Sequence, residues 1–153
     1  MRNHANRQIR LKSRPVGIPQ AEHFEIVETP VPAADRGQFV VRNRFLSVDP
    51  ALRGWVNAAA NYAKPVGIGE TMRSFSVGEV VESQHPDFRA GEIVAGMFGW
   101  QEYALSDGSH VTRKVTESDL PMSLALGALG LNGVTAYWGL LGVGQPRARE
   151  TVV

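Results

Sequence analysis

Gly127, Gly130, Gly133, Gly139, Gly142 and Gly144 make the stretch in which a phosphate-cradling loop would be sought. A dinucleotide fingerprint works because its glycines follow a strand and open a helix whose N-terminus faces the pyrophosphate. Here the order is reversed. The glycines precede the strand-like Glu150-Thr151-Val152-Val153, so they do not form that fingerprint, and a phosphate loop is expected after Val153. Other residue types offer less. His4, His23, His85 and His110 are scattered over turns and tails without metal-ligand spacing. No Gly-x-Ser-x-Gly elbow is present, and the spacing of the acids does not support paired-carboxylate chemistry. The chain has no cysteine, which removes thiolate nucleophiles, disulfides and cysteine-ligated zinc together.

Any site must therefore be held by elements whose outline comes from periodicity. Within 153 residues, 43% are hydrophobic and 20% charged, enough for one packed domain or a domain plus part of another. A net charge of +1 does not favour nucleic acid. The basic start (Arg2, Arg7, Arg10, Lys12, Arg14) reads as a solvated strand or tail, since acids balance it and no stacking aromatics are interleaved. No apolar signal core is present, which makes the cytoplasm the expected location.

The pattern predicts short strands over 8–11, 24–28, 38–48, 75–82, 91–97 and 99–105, separated by Gly/Pro turns. The clearest is 38–48, where Phe39, Val41, Asn43 and Phe45 alternate with Val40, Arg42, Arg44 and Leu46. It feeds Asp49-Pro50, then a short helix and surface loop over 52–70. This texture indicates a compact β-barrel or sandwich.

Near Asp119 the texture changes. Leu120 to Pro146 carries no charge, yet its glycines, Asn132, Thr135 and Ser123 interrupt any single membrane-spanning helix. Two short helices are expected instead. One runs through Met122, Leu124, Ala125, Leu126 and Leu129. After a turn at Leu131-Asn132-Gly133, the other carries Val134, Tyr137, Trp138 and Leu141 at i, i+3, i+4 and i+7. Lacking a polar face, both are expected to be buried between layers or domains. The division is therefore residues 1–119 and 120–153.

Leu46-Ser47-Val48-Asp49-Pro50-Ala51-Leu52-Arg53 and Gly130-Leu131-Asn132-Gly133-Val134-Thr135-Ala136-Tyr137 carry a family resemblance. With Asn6-Arg7-Gln8, Ser13-Arg14-Pro15, Val80-Val81-Glu82-Ser83, Gly99-Trp100-Gln101-Glu102-Tyr103, Gly139-Leu140-Leu141 and Gly144-Gln145-Pro146, the chain resembles the N-terminal portion of zinc-independent medium-chain dehydrogenase/reductases. The group is that of the curcumin, prostaglandin and plant double-bond reductases. The resemblance implies a GroES-like β-barrel domain, connecting helices and the first strand of a truncated Rossmann domain.

It also implies reduction of the carbon–carbon double bond of α,β-unsaturated ketones or aldehydes, with NADP(H) as hydride donor and no zinc. The cofactor is expected to be bound mainly by a C-terminal domain. By the same resemblance, Thr135, Asn132 and Gly133 match the segment approaching the nicotinamide, while Tyr62, Asp49 and Ala51 match positions near the substrate. The group often has Tyr at the position of Ala51 and Pro at that of Asn132. On spacing alone, Thr135 reads as a helix-start residue, Asp49 as the organiser of an Asp-Pro turn, Tyr62 as a loop tyrosine, and Tyr137 and Trp138 as core. A full-length homo-oligomer, a dimer, is expected, with a small enone or enal substrate and no nucleic-acid or membrane partner. The 153 residues alone are expected to be catalytically silent and to self-associate. The competing reading is a standalone GroES-like binding module without catalysis.

Overall fold

A computed structural model describes residues 5–59 and 63–152. His4, Tyr62 and Val153 lie outside the described residues. The architecture is mainly β, as expected. Strands β1 (Ala5–Leu11) and β2 (Phe24–Pro30) form an antiparallel ribbon registered from Ala5 opposite Pro30 to Leu11 opposite Phe24. Proline at the end of β2 costs no ladder bond in the middle of the sheet.

Five further strands make the main sheet: β3 (Phe39–Leu46), β4 (Ser76–Ser83), β5 (Ile93–Gly96), β6 (Tyr103–Ser106) and β7 (Val111–Val115). Their order is β6-β3-β4-β5-β7, and every neighbouring pair is antiparallel. The ribbon is stitched to the loops of this sheet by Ile9 N–H to the Trp100 carbonyl (2.8 Å) and Met72 N–H to the Ile9 carbonyl (2.9 Å). Asn6 completes the seam with its side chain. Its Nδ2 donates to the Tyr103 carbonyl and its Oδ1 accepts from the Tyr103 amide, each at 2.9 Å. A buried amide here replaces a missing stretch of backbone ladder.

Strand β3 departs from simple alternation for two reasons. Pairing with β4 slips between Val40 and Val41 and again between Asn43 and Phe45, so its faces do not stay in phase along its length. Val40 is also buried on the outer face, where Ala34, Val31 and Tyr103 cover it. Beyond the second slip Phe45 is exposed. Gly78 serves this irregular pairing, since a Cβ there would collide with the Arg42 carbonyl. Inside the sheet Phe39, Val41, Val80, Val94, Phe98 and Ala104 form one core cluster. A second cluster joins Leu11 to helix α1 (Ala51–Trp55) through Leu52, Trp55, Val56, Val66 and Met72.

The C-terminal stretch differs from expectation in several ways. Strand β7 was not anticipated, because its Val111-Thr112-Arg113-Lys114-Val115 pattern puts polar residues on both faces. The first expected helix is a short 3₁₀ segment, Met122–Leu126. The expected turn at Leu131-Asn132-Gly133 is instead the start of helix α2 (Leu131–Tyr137), which runs on as wider turns over Trp138–Gly144. Gly133 permits this, since its N–H reaches the Gly127 carbonyl (3.2 Å) and a Cβ would strike the Ala128 carbonyl. The second helix is not buried within this chain. Leu131, Val134, Tyr137, Trp138 and Leu141 are all at least half exposed. An apolar stripe is hidden only by a surface facing it, and among the described residues no element covers the outer side of this helix. Residues 150–152 are likewise not a strand, because no neighbour pairs with them. Among the described residues no helix is long and apolar enough to cross a membrane.

Candidate functional site

Between the end of the main sheet and the 125–134 segment lies an apolar cavity of about 660 Å³. Its walls come from three places: the link from β3 into α1 (Ser47, Asp49, Pro50, Ala51, Trp55), the β5 and β7 strands with their flank (Ala95, Met97, Thr112, Arg113), and the segment ending in α2 (Ala125, Leu129, Leu131, Asn132, Val134). Such a volume suits a small organic molecule, and mostly apolar walls with a few polar groups are typical of small-molecule sites.

The β3–α1 link is built rigidly. Pro50 carries helix-like torsions and launches α1, whose first turn is closed by Leu52 N–H to the Asp49 carbonyl (3.0 Å). Ser47 donates its amide to the Phe75 carbonyl (2.8 Å), and its own carbonyl accepts from Ser74 Oγ (3.0 Å) and Trp100 Nε1 (3.3 Å). From this fixed backbone the Ser47 hydroxyl donates to the Asp49 carboxylate. Ala51 and Trp55, one helical turn apart, face the same side. The Trp55 ring is buried with the Arg73 guanidinium 5.3 Å from its centre, and its Nε1 has no hydrogen-bond partner.

Charge on the opposite wall is already balanced. Arg113 pairs with Glu117 and donates to the Leu129 carbonyl (3.3 Å), while its Nε is buried without a partner. The Glu117 carboxyl lies below its ordinary range, held there first by its own backbone amide and further by the Arg113 charge. No group of three or more His, Cys, Asp or Glu that could hold a metal occurs among the described residues.

Of the residues singled out from sequence, Asp49, Ala51 and Asn132 line this one cavity although they are distant in the chain. Gly133 and Thr135 stand on α2 but are not part of its wall. Thr135 Oγ1 bonds back to the Leu131 carbonyl (2.8 Å), a helix-internal role, and Gly133 serves close backbone approach. Tyr62 lies outside the described residues. Sequence reading missed Ser47, Trp55, Met97 and Arg113 as wall residues. Ser47 could have been found from its i, i+2 relation to Asp49, and Trp55 from its i, i+4 relation to Ala51. Arg113 had no such signal, because β7 itself was not recognised.

Comparison with known proteins gives a consistent picture. Residues 7–114 match a family described as the N-terminal domain of oxidoreductase. The chain is 43% identical over 148 residues to the NADPH-dependent curcumin reductase of Escherichia coli, covering 97% of this chain and 43% of that protein. It is 33% identical over 153 residues to the 2-alkenal reductase (NADP(+)-dependent) of Nicotiana tabacum, covering 97% and 44%. The crystal structure of CurA in complex with NADPH from Vibrio vulnificus superposes with a TM-score of 0.82 at 44% identity, covering 92% of this chain and 42% of that one. The chain thus spans less than half the length of these relatives, and its mainly β architecture is that of their GroES-like N-terminal domain.

Proposed function

The chain belongs to the family of oxidoreductase N-terminal domains, and from that premise we propose that it forms the substrate-side half of an NADPH-dependent reductase acting on the double bond of α,β-unsaturated ketones or aldehydes. The observation that carries this reading is the apolar cavity in which Asp49, Ala51 and Asn132 converge.

The wall residues fit one end of the cofactor. Leu131 and Val134 offer an apolar face to a flat ring, and the Asn132 side-chain amide carries both a donor and acceptors suited to a carboxamide. They do not fit its phosphates, since Arg113, a cation of the wall, is engaged by Glu117. In this reading the nicotinamide end meets Asn132, with Thr135 and Gly133 shaping the helix behind it, and the phosphates are held by a further domain. When bound, NADPH supplies the hydride that an enone accepts at its β-carbon.

The residues of this chain bind and orient. Ala51, Trp55, Met97 and Leu129 enclose the carbon skeleton and exclude water, which strengthens every electrostatic contact made inside. Asp49, fixed through Ser47, makes one wall unfavourable for the charge that develops on the substrate oxygen, so the carbonyl is turned away from it. The domain boundary is proposed near 119–120. Among the described residues the buried apolar core runs from Leu11 to Ala104, with only Ala125 beyond. The working unit is proposed to be a dimer of the full-length protein.

The test uses the full-length protein, a neutral enone, and NADPH carrying deuterium at the transferable position. The expected product is the saturated ketone with deuterium on the former β-carbon. Absence of NADPH-dependent reduction of any enone or enal would overturn the reading.

A further inference from the structure

Asp49 is the one acidic residue in the mostly apolar wall, and its charge is not matched by an ion pair there. Its carboxylate accepts the Ser47 hydroxyl and enters no ion pair among the described residues. The cations around the cavity are committed elsewhere. Arg113 is paired with Glu117 and bonded to the Leu129 carbonyl. Arg53, in the first helix, donates to the Gly17 carbonyl (3.0 Å) and to Asn57 Oδ1 (2.6 Å). Arg73 lies over the Trp55 ring and is not part of the wall. A carboxylate entering this cavity would therefore lose water and meet an unbalanced negative charge in a partly desolvated setting, where repulsion is stronger than in bulk water.

We propose that Asp49, held in place by Ser47, is a specificity-determining residue that biases the site toward uncharged enones and against enones bearing a carboxylate. The inference rests on the reductase reading for its substrate class, but the charge bias belongs to the cavity and can be read without turnover. Asp49 acts on the acid and not on its ester, so a loss of fold or of general activity would lower both alike and leave their ratio unchanged.

The experiment compares benzalacetone bearing a para carboxylate with its methyl ester on the full-length protein. In the unaltered protein kcat/KM is expected to favour the ester. Asp49→Asn keeps the side-chain shape and an acceptor for Ser47, and is expected to narrow the ester-to-acid ratio by roughly tenfold, the order expected of one screened charge pair. Raising the salt concentration should narrow the same ratio in the unaltered protein, which covers the case of a variant that does not fold. An ester-to-acid ratio insensitive to both would overturn the proposal. If no enone is turned over at all, the reductase reading fails by itself. Quenching of tryptophan fluorescence by acid and ester then reads the bias directly through Trp55, with the same shift on Asp49→Asn supporting it and equal affinities contradicting it.

Discussion

Val77 and Val80 in β4 are completely buried, whereas Val134, Trp138 and Val143 beyond residue 130 are 56%, 64% and 83% exposed. Both stretches are apolar, and the difference lies in what stands opposite. β4 has β3 and β5 on either side, so Val80 meets Phe39, Val41 and Val94 while Val77 meets Ala95 and Ala125. The helical stretch after Gly130 has the cavity on one side and solvent on the other. Hydrophobic content measures how much a segment gains by burial, while topology decides whether it gains it.

This comparison can be broken or sharpened by substitution. The largest effect is expected for Phe39→Ala, which opens the main core and removes a ring stacked on Phe88 at 4.4 Å. Urea unfolding should show a loss of about 3–5 kcal/mol. The matching Trp138→Ala should cost less than about 0.5 kcal/mol in the same measurement, as exposed positions do. Equal losses would mean that the helix is packed in solution and would dissolve the contrast.

Next in size is Asn6→Ala, expected to cost about 1–3 kcal/mol in thermal or chemical unfolding, because the buried Tyr103 amide and carbonyl lose their partner. A glycine pair sharpens the comparison within the apolar stretch. Gly133→Ala should destabilise by about 1–3 kcal/mol, since a methyl collides with the Ala128 carbonyl. Gly139→Ala meets nothing within 4 Å and should raise stability by up to about 1 kcal/mol, read as a shift in Tm.

The smallest effect is electrostatic and belongs to the seam between β1 and the Trp100–Tyr103 segment. The Glu102 carboxyl is lowered from its ordinary value of 4.5, first by its hydrogen bond from Arg7. A lowered folded value means that this stabilisation is present above the unfolded carboxyl's titration and is lost as pH falls through the folded one. Stability should therefore fall on acidification below about pH 4.5, and Glu102→Gln should show a shallower fall in a pH series of melts.

Much of the fold could be read from the chain, and the reasons for the rest are physical. β3 and β4 were legible because alternation and Gly/Pro boundaries agree there, and proline fixed the turn after Asp49. β7 was not, because a short edge strand with polar residues on both faces has no period to detect. The start of α2 was misplaced because Asn132-Gly133 has turn chemistry, and only the close approach of Ala128 explains why a glycine begins a helix there. At the site, Asp49, Ala51 and Asn132 came from matched motifs and share a cavity. Thr135 bonds back within its own helix, four residues past the start of α2, and is not the helix-start residue that local spacing suggested. The walls formed by Met97 and Arg113 depend on strand pairing across the sheet, which no local pattern encodes.

The central claim is that the cavity beside Asp49 is where the enone sits, and filling it tests this most directly. Ala51→Trp in the full-length protein places a large ring in that space from a half-buried position at the edge of the Leu11 cluster. Steady-state kinetics with a neutral enone should show KM raised by roughly tenfold or more, the scale of a lost hydrophobic contact, with NADPH affinity unchanged. Unchanged KM and kcat in a folded Ala51→Trp protein would contradict the account.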